Sequence, residues 1–345
     1  MDRLRNLCVE ILDKLDVSHK NSLVVADSLV EANLRGVDSH GVTILKFLVE
    51  RIKSGTINPN VKTRILRESD SIALLDGELG FGQVVGVEAM AIAVKKAKKT
   101  GIGVVSVRNA NHYGISSSYP THALSEDMIG IVMCNSGPAM VPFGGSRPAL
   151  GTNPICFAIP AGEEKPIILD MATTVSAYGK ISAADLKGEK IPAGWAVDSD
   201  GRPTTDPGKA LRGGLLPMGG AKGYGLAIVI DILSGILSGW AFGKQAKAYL
   251  RENTMAPQIG QLFMALNIES FTPVKQFKDD VDQMIRDLKS TPPAPGFSKV
   301  FVPGELEFLS SDERSRNGIP VDEKTWKDIT SLALHLNVDR HLIQI

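Results

Sequence analysis

Cysteine is scarce in this chain, and the few cysteines present follow no pairing or metal-binding pattern. There are three among 345 residues, Cys8, Cys134 and Cys156. An odd number without Cys-x-x-Cys or Cys/His spacing excludes a disulfide framework and predicts no metal site. Cys8 and Cys134 lie in apolar patterns, so we expect small core residues, and unpaired thiols suit a reducing cytoplasm.

Neither sign of charge is in excess, and no long uninterrupted apolar run occurs. Lys plus Arg and Asp plus Glu both number 38, which gives no support to a nucleic-acid groove or an anionic membrane surface as partner. The most apolar stretch, Tyr224 to Phe242, contains Asp231 and Ser234, which favours a buried helix over a membrane span. The first residues, Met1 to Asn6, show no secretory apolar segment, so a cytoplasmic location is expected.

The spacing of apolar residues changes along the chain from helical to strand-like. Helical spacing dominates the first sixty residues, and short apolar runs bounded by turn residues dominate the middle. The predicted helices are 1–16, 19–35, 42–54, 83–99, 115–125, 222–239, 272–289 and 322–337. The predicted strands are 72–75, 104–107, 129–133, 155–159, 167–169 and 262–268. Residues 181–221, rich in Gly, Pro, Asp and Lys, are predicted to form a long ordered loop or lid.

These patterns predict an α+β fold made of two parts. The two chain ends, 1–65 and 305–345, are expected to form one mainly helical domain. Residues 66–304 are expected to form a central α+β domain enclosed by it.

Two histidines lie beside glycine and small polar residues, a setting typical of proton transfer. His40 follows Ser39 at a helix break, and His112 lies in the segment 109–114, Asn-Ala-Asn-His-Tyr-Gly. Histidine exchanges a proton near neutral pH without a large perturbation. The structural alternatives are that Ser39 only caps the helix that follows and that His112 is a hydrogen-bonded loop residue.

A glycine-rich segment after a predicted strand has two interpretations. Residues 80–86, Gly-Phe-Gly-Gln-Val-Val-Gly, precede a helix as in a dinucleotide-binding turn. The next predicted strand ends in Arg108, which could meet a 2′-phosphate. Glycines that open a helix after a strand are also common turn chemistry, and we favour this second interpretation.

Nine short motifs in order along the chain resemble the malate/L-lactate/L-sulfolactate dehydrogenase family, which also includes ureidoglycolate dehydrogenases and diketogulonate and Δ1-piperideine-2-carboxylate reductases. The resemblance extends essentially from end to end. The matching segments are 36–41, 109–114, 141–145, 151–154, 169–173, 203–207, 222–226, 293–296 and 302–305.

The resemblance implies an oxidoreductase that uses NAD or NADP and interconverts a small 2-hydroxy acid and its 2-oxo acid. Malate/oxaloacetate or lactate/pyruvate is the expected pair, and ureidoglycolate is the alternative. It also implies a non-Rossmann, mixed and largely antiparallel sheet that binds the cofactor in the central domain, and a homodimer. A hypothesis of another class is a cofactor-binding protein that has lost catalysis.

The family pattern also implies site residues. His40, with Ser39 as its partner, is the first candidate for general acid/base, and His112 is the second. Asp170 or Glu305 would accept hydrogen bonds from ribose hydroxyls, and Lys222 would donate to a phosphate or a ribose. The full set of candidate cofactor-binding residues is Ser136, Asp170, Met171, Ala172, Lys222, Gly304, Glu305 and Leu306.

One position departs from the family pattern. The resemblance predicts an arginine four residues after His40 to bind the substrate carboxylate, and this chain has Ile44 there. Isoleucine offers no charge-assisted hydrogen bond. Lys46 and Arg35 are the candidate replacements, and the departure leaves the choice of 2-hydroxy acid open.

Overall fold

The computed structural model describes residues 2–246 and 258–342, in which helices flank one large mixed sheet. The longer helices are α1 (Asp2–Asp13), α2 (His19–Leu34), α3 (Leu45–Lys53), α4 (Gly82–Thr100), α5 (Thr121–Leu124), α6 (Tyr178–Lys187), α7 (Pro207–Arg212), α8 (Ala221–Asp231), α9 (Val274–Ser290), α10 (Glu305–Asn317) and α11 (Glu323–His335). The strands of the large sheet are β1 (Arg64–Glu68), β2 (Ile72–Asp76), β3 (Ile102–Ala110), β4 (Met128–Cys134), β5 (Ile155–Ile159), β6 (Ile167–Met171) and β10 (Ile259–Asn267).

The large sheet has the strand order β1-β2-β3-β10-β4-β5-β6. Neighbouring strands are antiparallel except for the parallel pair β2 and β3. A Rossmann sheet instead gathers the carboxyl ends of successive parallel strands at one edge. The expectation of an α+β, non-Rossmann fold is therefore confirmed.

The two chain ends share one apolar core. Leu7 of α1, Leu29 of α2 and Leu45 of α3 are fully buried against Ile329 and Ala333 of α11. A helix that carries one apolar stripe must bury it against another element, and these stripes cover one another. The exact boundaries 65/66 and 304/305 stay a prediction.

The predicted long loop 181–221 is wrong, because this segment folds into a small lobe. It contains most of α6, all of α7 and a three-stranded sheet of β7 (Ala196–Val197), β8 (Pro203–Thr204) and β9 (Gly214–Leu215). Ile181, Ala196 and Leu215 form its buried core. Strands of two residues are too short to show an alternating pattern, so the Gly and Pro content dominated the prediction.

Three further elements differ from the prediction. Strand β1 and helix α10 were not expected. The apolar stretch from Tyr224 is α8 followed by a π-helix, Ile232–Ile236, and one of its faces is exposed rather than buried.

The thiols of Cys8, Cys134 and Cys156 are free and buried, which confirms the prediction for Cys8 and Cys134.

Candidate active site

The loop that carries Ser39 and His40 leaves the C-terminal end of α2 and is held by a buried asparagine. Asn33 donates from Nδ2 to the Asp38 carboxylate at 2.6 Å, and its Oδ1 accepts the backbone N–H of Val42 at 2.8 Å. A Cβ at Gly41 would lie 2.2 Å from Asn33 Oδ1, so only glycine allows this approach. Ser39 Oγ lies 3.0 Å from His40 Nδ1, and the loop thus holds His40 beside a hydroxyl partner.

The loop that carries His112 is fixed from three directions. The Asn111 side chain donates to the carbonyls of Leu79 at 2.7 Å and Gly80 at 3.1 Å. The backbone carbonyl of Asn111 accepts a hydrogen bond from Gln261 Nε2 of β10 at 3.1 Å. These bonds tie the turn after β2, the centre of the sheet and His112 together.

The imidazole rings of His40 and His112 stack, with centroids 5.4 Å apart and an interplanar angle of 24°. Both retain some accessible surface, yet protein atoms surround them. Burial lowers the pKa of His40, and burial, the charge that His40 carries when protonated and the charge of Arg51 together lower the pKa of His112 to about 3. Both rings are therefore neutral at pH 7. The Gly114 N–H donates to His112 Nδ1 at 3.2 Å, which places the proton of neutral His112 on Nε2.

The low pKa of His112 predicts a loss of stability in mild acid. Between its folded pKa of about 3 and an unfolded value of about 6.5, the unfolded chain binds more protons, so the free energy of unfolding rises with pH. Acidification from pH 6.5 to pH 5 should remove up to about 2 kcal/mol through this group. We expect His112→Gln to flatten the pH dependence of the unfolding midpoint in urea over this window.

The matched control is His122→Gln, because His122 is exposed on α5. It should leave the slope of stability against pH unchanged. An identical slope for His112→Gln and the unaltered protein would show that His112 does not carry the acid sensitivity.

The candidate cofactor residues gather around β6 and the segment that follows it. The Asp170 carboxylate at the end of β6 accepts the N–H of Ser117 at 2.8 Å. Burial raises the pKa of Asp170, and the bonds from Ser117 and the charge of Arg35 oppose that rise. Asp170 itself keeps an exposed surface, so it lies in a cleft that surrounds it without covering it. Met171 and Ala172 come next in the chain.

Two further candidates reach this region through backbone hydrogen bonds. Ser136 Oγ accepts the N–H of Thr152 at 3.1 Å, and the Thr152 carbonyl accepts the N–H of Thr173, two residues beyond Met171, at 2.9 Å. The Thr173 carbonyl accepts the N–H of Met218, just before the first turn of α8. That turn carries Lys222, which is exposed.

The third group approaches β6 from the start of α10. Gly304, with φ of 91°, packs its Cα against Ile168 of β6, and Leu306 is exposed. The Glu305 carboxylate lies 2.8 Å from Lys299 Nζ and 3.3 Å from Lys289 Nζ. A ribose contact by Glu305 would therefore have to be shared with two lysines.

The position of the missing arginine is filled by core packing. Ile44 is 6% exposed and belongs to the core of the helical chain ends. Both candidate replacements have carboxylate partners: Lys46 Nζ lies 3.0 Å from Asp328, and Arg35 lies 2.8 Å from Glu31. Lys46 would have to leave its ion pair to meet a substrate, and Arg35 already directs its Nε and Nη2 to Glu31.

Sequence reasoning missed several residues that build this site. Asn111 lies within one of the matching motifs, which predicts no separate role for it, and Asn33 is one polar residue in an apolar helix. Gly179 of α6 packs against Ser39, since a Cβ there would lie 2.8 Å from Ser39 Cβ. This contact places the first turn of α6 beside the Ser39–His40 loop, and only the folded structure reveals it.

Within residues 2–246 and 258–342, no group of three His, Cys, Asp or Glu side chains is placed to hold a metal ion. Over the same part of the chain, no helix combines the length and the apolar character that a membrane crossing needs.

The structure thus combines a non-Rossmann sheet with two neutral histidines whose rings stack. Comparison with known proteins identifies its family. The sequence profile of the malate/L-lactate dehydrogenase family matches residues 1–330, and the chain belongs to this family. It is a dehydrogenase, as the motifs implied.

Named relatives match over nearly the whole chain. Malate dehydrogenase of Pyrococcus abyssi is 45% identical over 345 residues, covering 98% of this chain and 94% of that protein. L-sulfolactate dehydrogenase of Methanocaldococcus jannaschii is 42% identical over 340 residues, covering 98% and 97%. The solved structure of sulfolactate dehydrogenase from that organism has a TM-score of 0.92, covering 99% of this chain and 97% of that one. Ureidoglycolate dehydrogenase (NAD(+)) of Escherichia coli K12 is 35% identical over 334 residues, covering 97% and 95%.

Proposed function

We propose that this protein uses NAD or NADP to interconvert a small 2-hydroxy acid and its 2-oxo acid. The observation that carries the proposal is the stacked pair His40 and His112, which is neutral at pH 7 and only partly buried. Hydride transfer from an alcohol carbon requires a base for the hydroxyl proton, and a neutral imidazole is such a base.

The residues present fit a dinucleotide. A pyrophosphate is stabilised by a cation and by the positive end of a helix, and the N-terminal turn of α8 offers both because Lys222 is exposed there. The left-handed Gly304 at the start of α10 permits a close backbone approach. A ribose needs an acceptor such as the exposed carboxylate of Asp170. When bound, the nicotinamide ring supplies or takes the hydride.

His40 and His112 have different tasks in this proposal. If His40 Nδ1–H donates to Ser39 Oγ, Nε2 is its basic nitrogen and takes the hydroxyl proton during oxidation. His112 carries its proton on Nε2, because Nδ1 accepts from Gly114. It therefore acts as a hydrogen-bond donor that orients the substrate oxygen. In the reduction direction the His40 imidazolium returns the proton.

We propose malate or sulfolactate as the substrate, supported by the names of relatives at 45% and 42% identity. Ureidoglycolate is the second candidate, supported by the relative at 35%. Since Ile44 is buried, the substrate carboxylate needs another site. The first turn of α6 lies against Ser39 through Gly179, and it combines a helix N-terminus with the exposed Lys180. Both features favour an anion.

The test is a panel of oxidations with NAD and with NADP, followed at the nicotinamide absorbance. The panel contains malate, lactate, sulfolactate and ureidoglycolate. We expect turnover with malate or sulfolactate and a weaker reaction with lactate, which lacks the second anionic group. Tight cofactor binding without turnover on any member would overturn the proposal and favour a protein that has lost catalysis.

We also propose a homodimer as the working form. Val229, Ile232, Ile236 and Leu237 on one side of α8 and its π-helical extension are 50%, 44%, 47% and 58% exposed. A contiguous apolar stripe of this kind marks an interaction surface. Light scattering should give twice the chain mass of 36.9 kDa, and Ile232→Glu should shift the mass toward that of one chain. A monomer at micromolar concentration would contradict this assignment.

A further inference from the structure

Arg314 of α10, near the C-terminal end of the chain, binds the loop that carries His40. Its Nη1 donates to Asp38 Oδ1 at 2.6 Å and its Nη2 donates to Asp38 Oδ2 at 3.0 Å. Nη1 also donates to the backbone carbonyl of Asn33. A planar guanidinium bound at two points fixes the direction of the carboxylate as well as its distance.

The same helix satisfies the open end of α2. The last carbonyls of a helix have no partner within it, and here Ser310 Oγ donates to Leu34 O at 3.0 Å while Arg314 donates to Asn33 O. Asn33 in turn holds both Asp38 and the N–H of Val42. The brace formed by Asn33, Asp38 and Arg314 thus secures both sides of the Ser39–His40 segment.

We propose that Arg314 is a positioning residue that sets the orientation of His40 through Asp38. The inference rests on the proposed role of His40 in proton transfer. Asp38 is two residues from His40, in the same turn of 3₁₀-helix, so a shift of its carboxylate moves the imidazole. The Asp38 side chain is 49% exposed and that of Arg314 19%. Solvent reaches the Asp38 carboxylate and screens the pair, so we assign its main effect to the geometry of the loop rather than to global stability.

Helix α10 also connects the two halves of the site. It begins at Glu305, beside the candidate cofactor residue Gly304, and reaches the catalytic loop at Arg314. Nine residues of helix span about 14 Å. The brace therefore places His40 relative to the same helix whose first turn is assigned to the cofactor.

The experiment compares Arg314→Ala with Arg316→Ala in steady-state oxidation of the substrate that the panel identifies. Arg316 is the matched control, because it is exposed on the same helix and donates to the Asp312 carbonyl one turn earlier. We expect kcat to fall about 10- to 100-fold for Arg314→Ala, in the range that a displacement near 1 Å produces. Cofactor Kd by fluorescence titration should stay within about twofold, and Arg316→Ala should leave kcat unchanged.

A double-mutant cycle and partial rescue of kcat distinguish positioning of His40 from a purely stabilising role of Arg314. If Asp38 and Arg314 act as a unit, Asp38→Ala combined with Arg314→Ala loses no more kcat than either change alone. Arg314→Lys keeps one charge-assisted bond, so it should recover part of kcat without a matching change in thermal midpoint. Should Arg314→Ala not fold, Asp38→Asn gives the same comparison, because it keeps the side-chain shape and removes the ionic bonds.

The outcomes distinguish this inference from the proposed function. Normal kcat in Arg314→Ala, together with a collapse in His40→Ala, would overturn the positioning role alone. Normal kcat in His40→Ala would overturn the proton-transfer assignment on which it rests. If the losses of kcat in the two single variants add up in the double variant, and the thermal midpoint falls in parallel, the positioning role of Arg314 is also overturned.

Discussion

Replacement of His40 by alanine is expected to lower kcat for substrate oxidation by about 10²- to 10⁴-fold, the range for loss of a general base. Cofactor affinity should change little, because the candidate cofactor residues lie around β6 and the starts of α8 and α10. The pH dependence supports the same assignment. Burial lowers the pKa of His40, so the acid-side fall of kcat/KM should have its midpoint below the ordinary histidine value of about 6.5.

His112→Ala is the informative companion measurement. His112 is assigned as a donor to the substrate oxygen, so its loss should raise KM and lower kcat less than His40→Ala does. A near-normal kcat in His40→Ala with a collapse in His112→Ala would reverse the two roles. The kcat of Ser39→Ala should lie between that of the unaltered protein and that of His40→Ala. This change removes the hydroxyl 3.0 Å from His40 Nδ1 and leaves the imidazole in place.

His40 and His112 could be singled out from the sequence because the signals around them are local. His40 and His112 each lie beside glycine and small polar residues, and a loop histidine in that setting predicts proton transfer without any knowledge of the fold. That the two rings stack at 5.4 Å was not readable, since it depends on loops that come together only in the tertiary structure. Asp38 and Arg314 are 276 residues apart, and a charged residue in a polar tail gives no sign of such a partner.

The fold was predictable where one face of an element is buried and not elsewhere. Helix α4 and strands β4 and β5 have clear apolar periods, and their predicted bounds differ from the observed ones by at most one residue. Helix α10 has no buried residue, so no apolar stripe marks it. Its place is fixed by the polar contacts of Ser310 and Arg314 and by Phe308, which packs against the buried cluster of Cys156, Ala158 and Ile168.

Gly82→Ala is expected to damage stability and catalysis together, because this glycine gives α4 room beside the His112 loop. A Cβ at residue 82 would lie 2.3 Å from the Asn111 carbonyl oxygen and 2.5 Å from that of His112. These are backbone atoms, and the Asn111 carbonyl is fixed by Gln261, so they cannot move aside cheaply. Overpacking of this kind destabilises by about 1–3 kcal/mol, and displacement of His112 should lower kcat/KM about tenfold or more.

The matched control is Gly225→Ala, the same substitution within α8 at a position where no atom lies within 4 Å of the added Cβ. Alanine is favoured over glycine in a helix by roughly 1 kcal/mol, so this variant should keep or raise the unfolding midpoint. The comparison also decides what the glycine-rich segment 80–86 is for. If Gly82→Ala mainly weakened cofactor binding and left kcat at saturating cofactor unchanged, the segment would be a dinucleotide turn after all. Loss of kcat with intact cofactor affinity would establish instead that Gly82 is needed to seat His112.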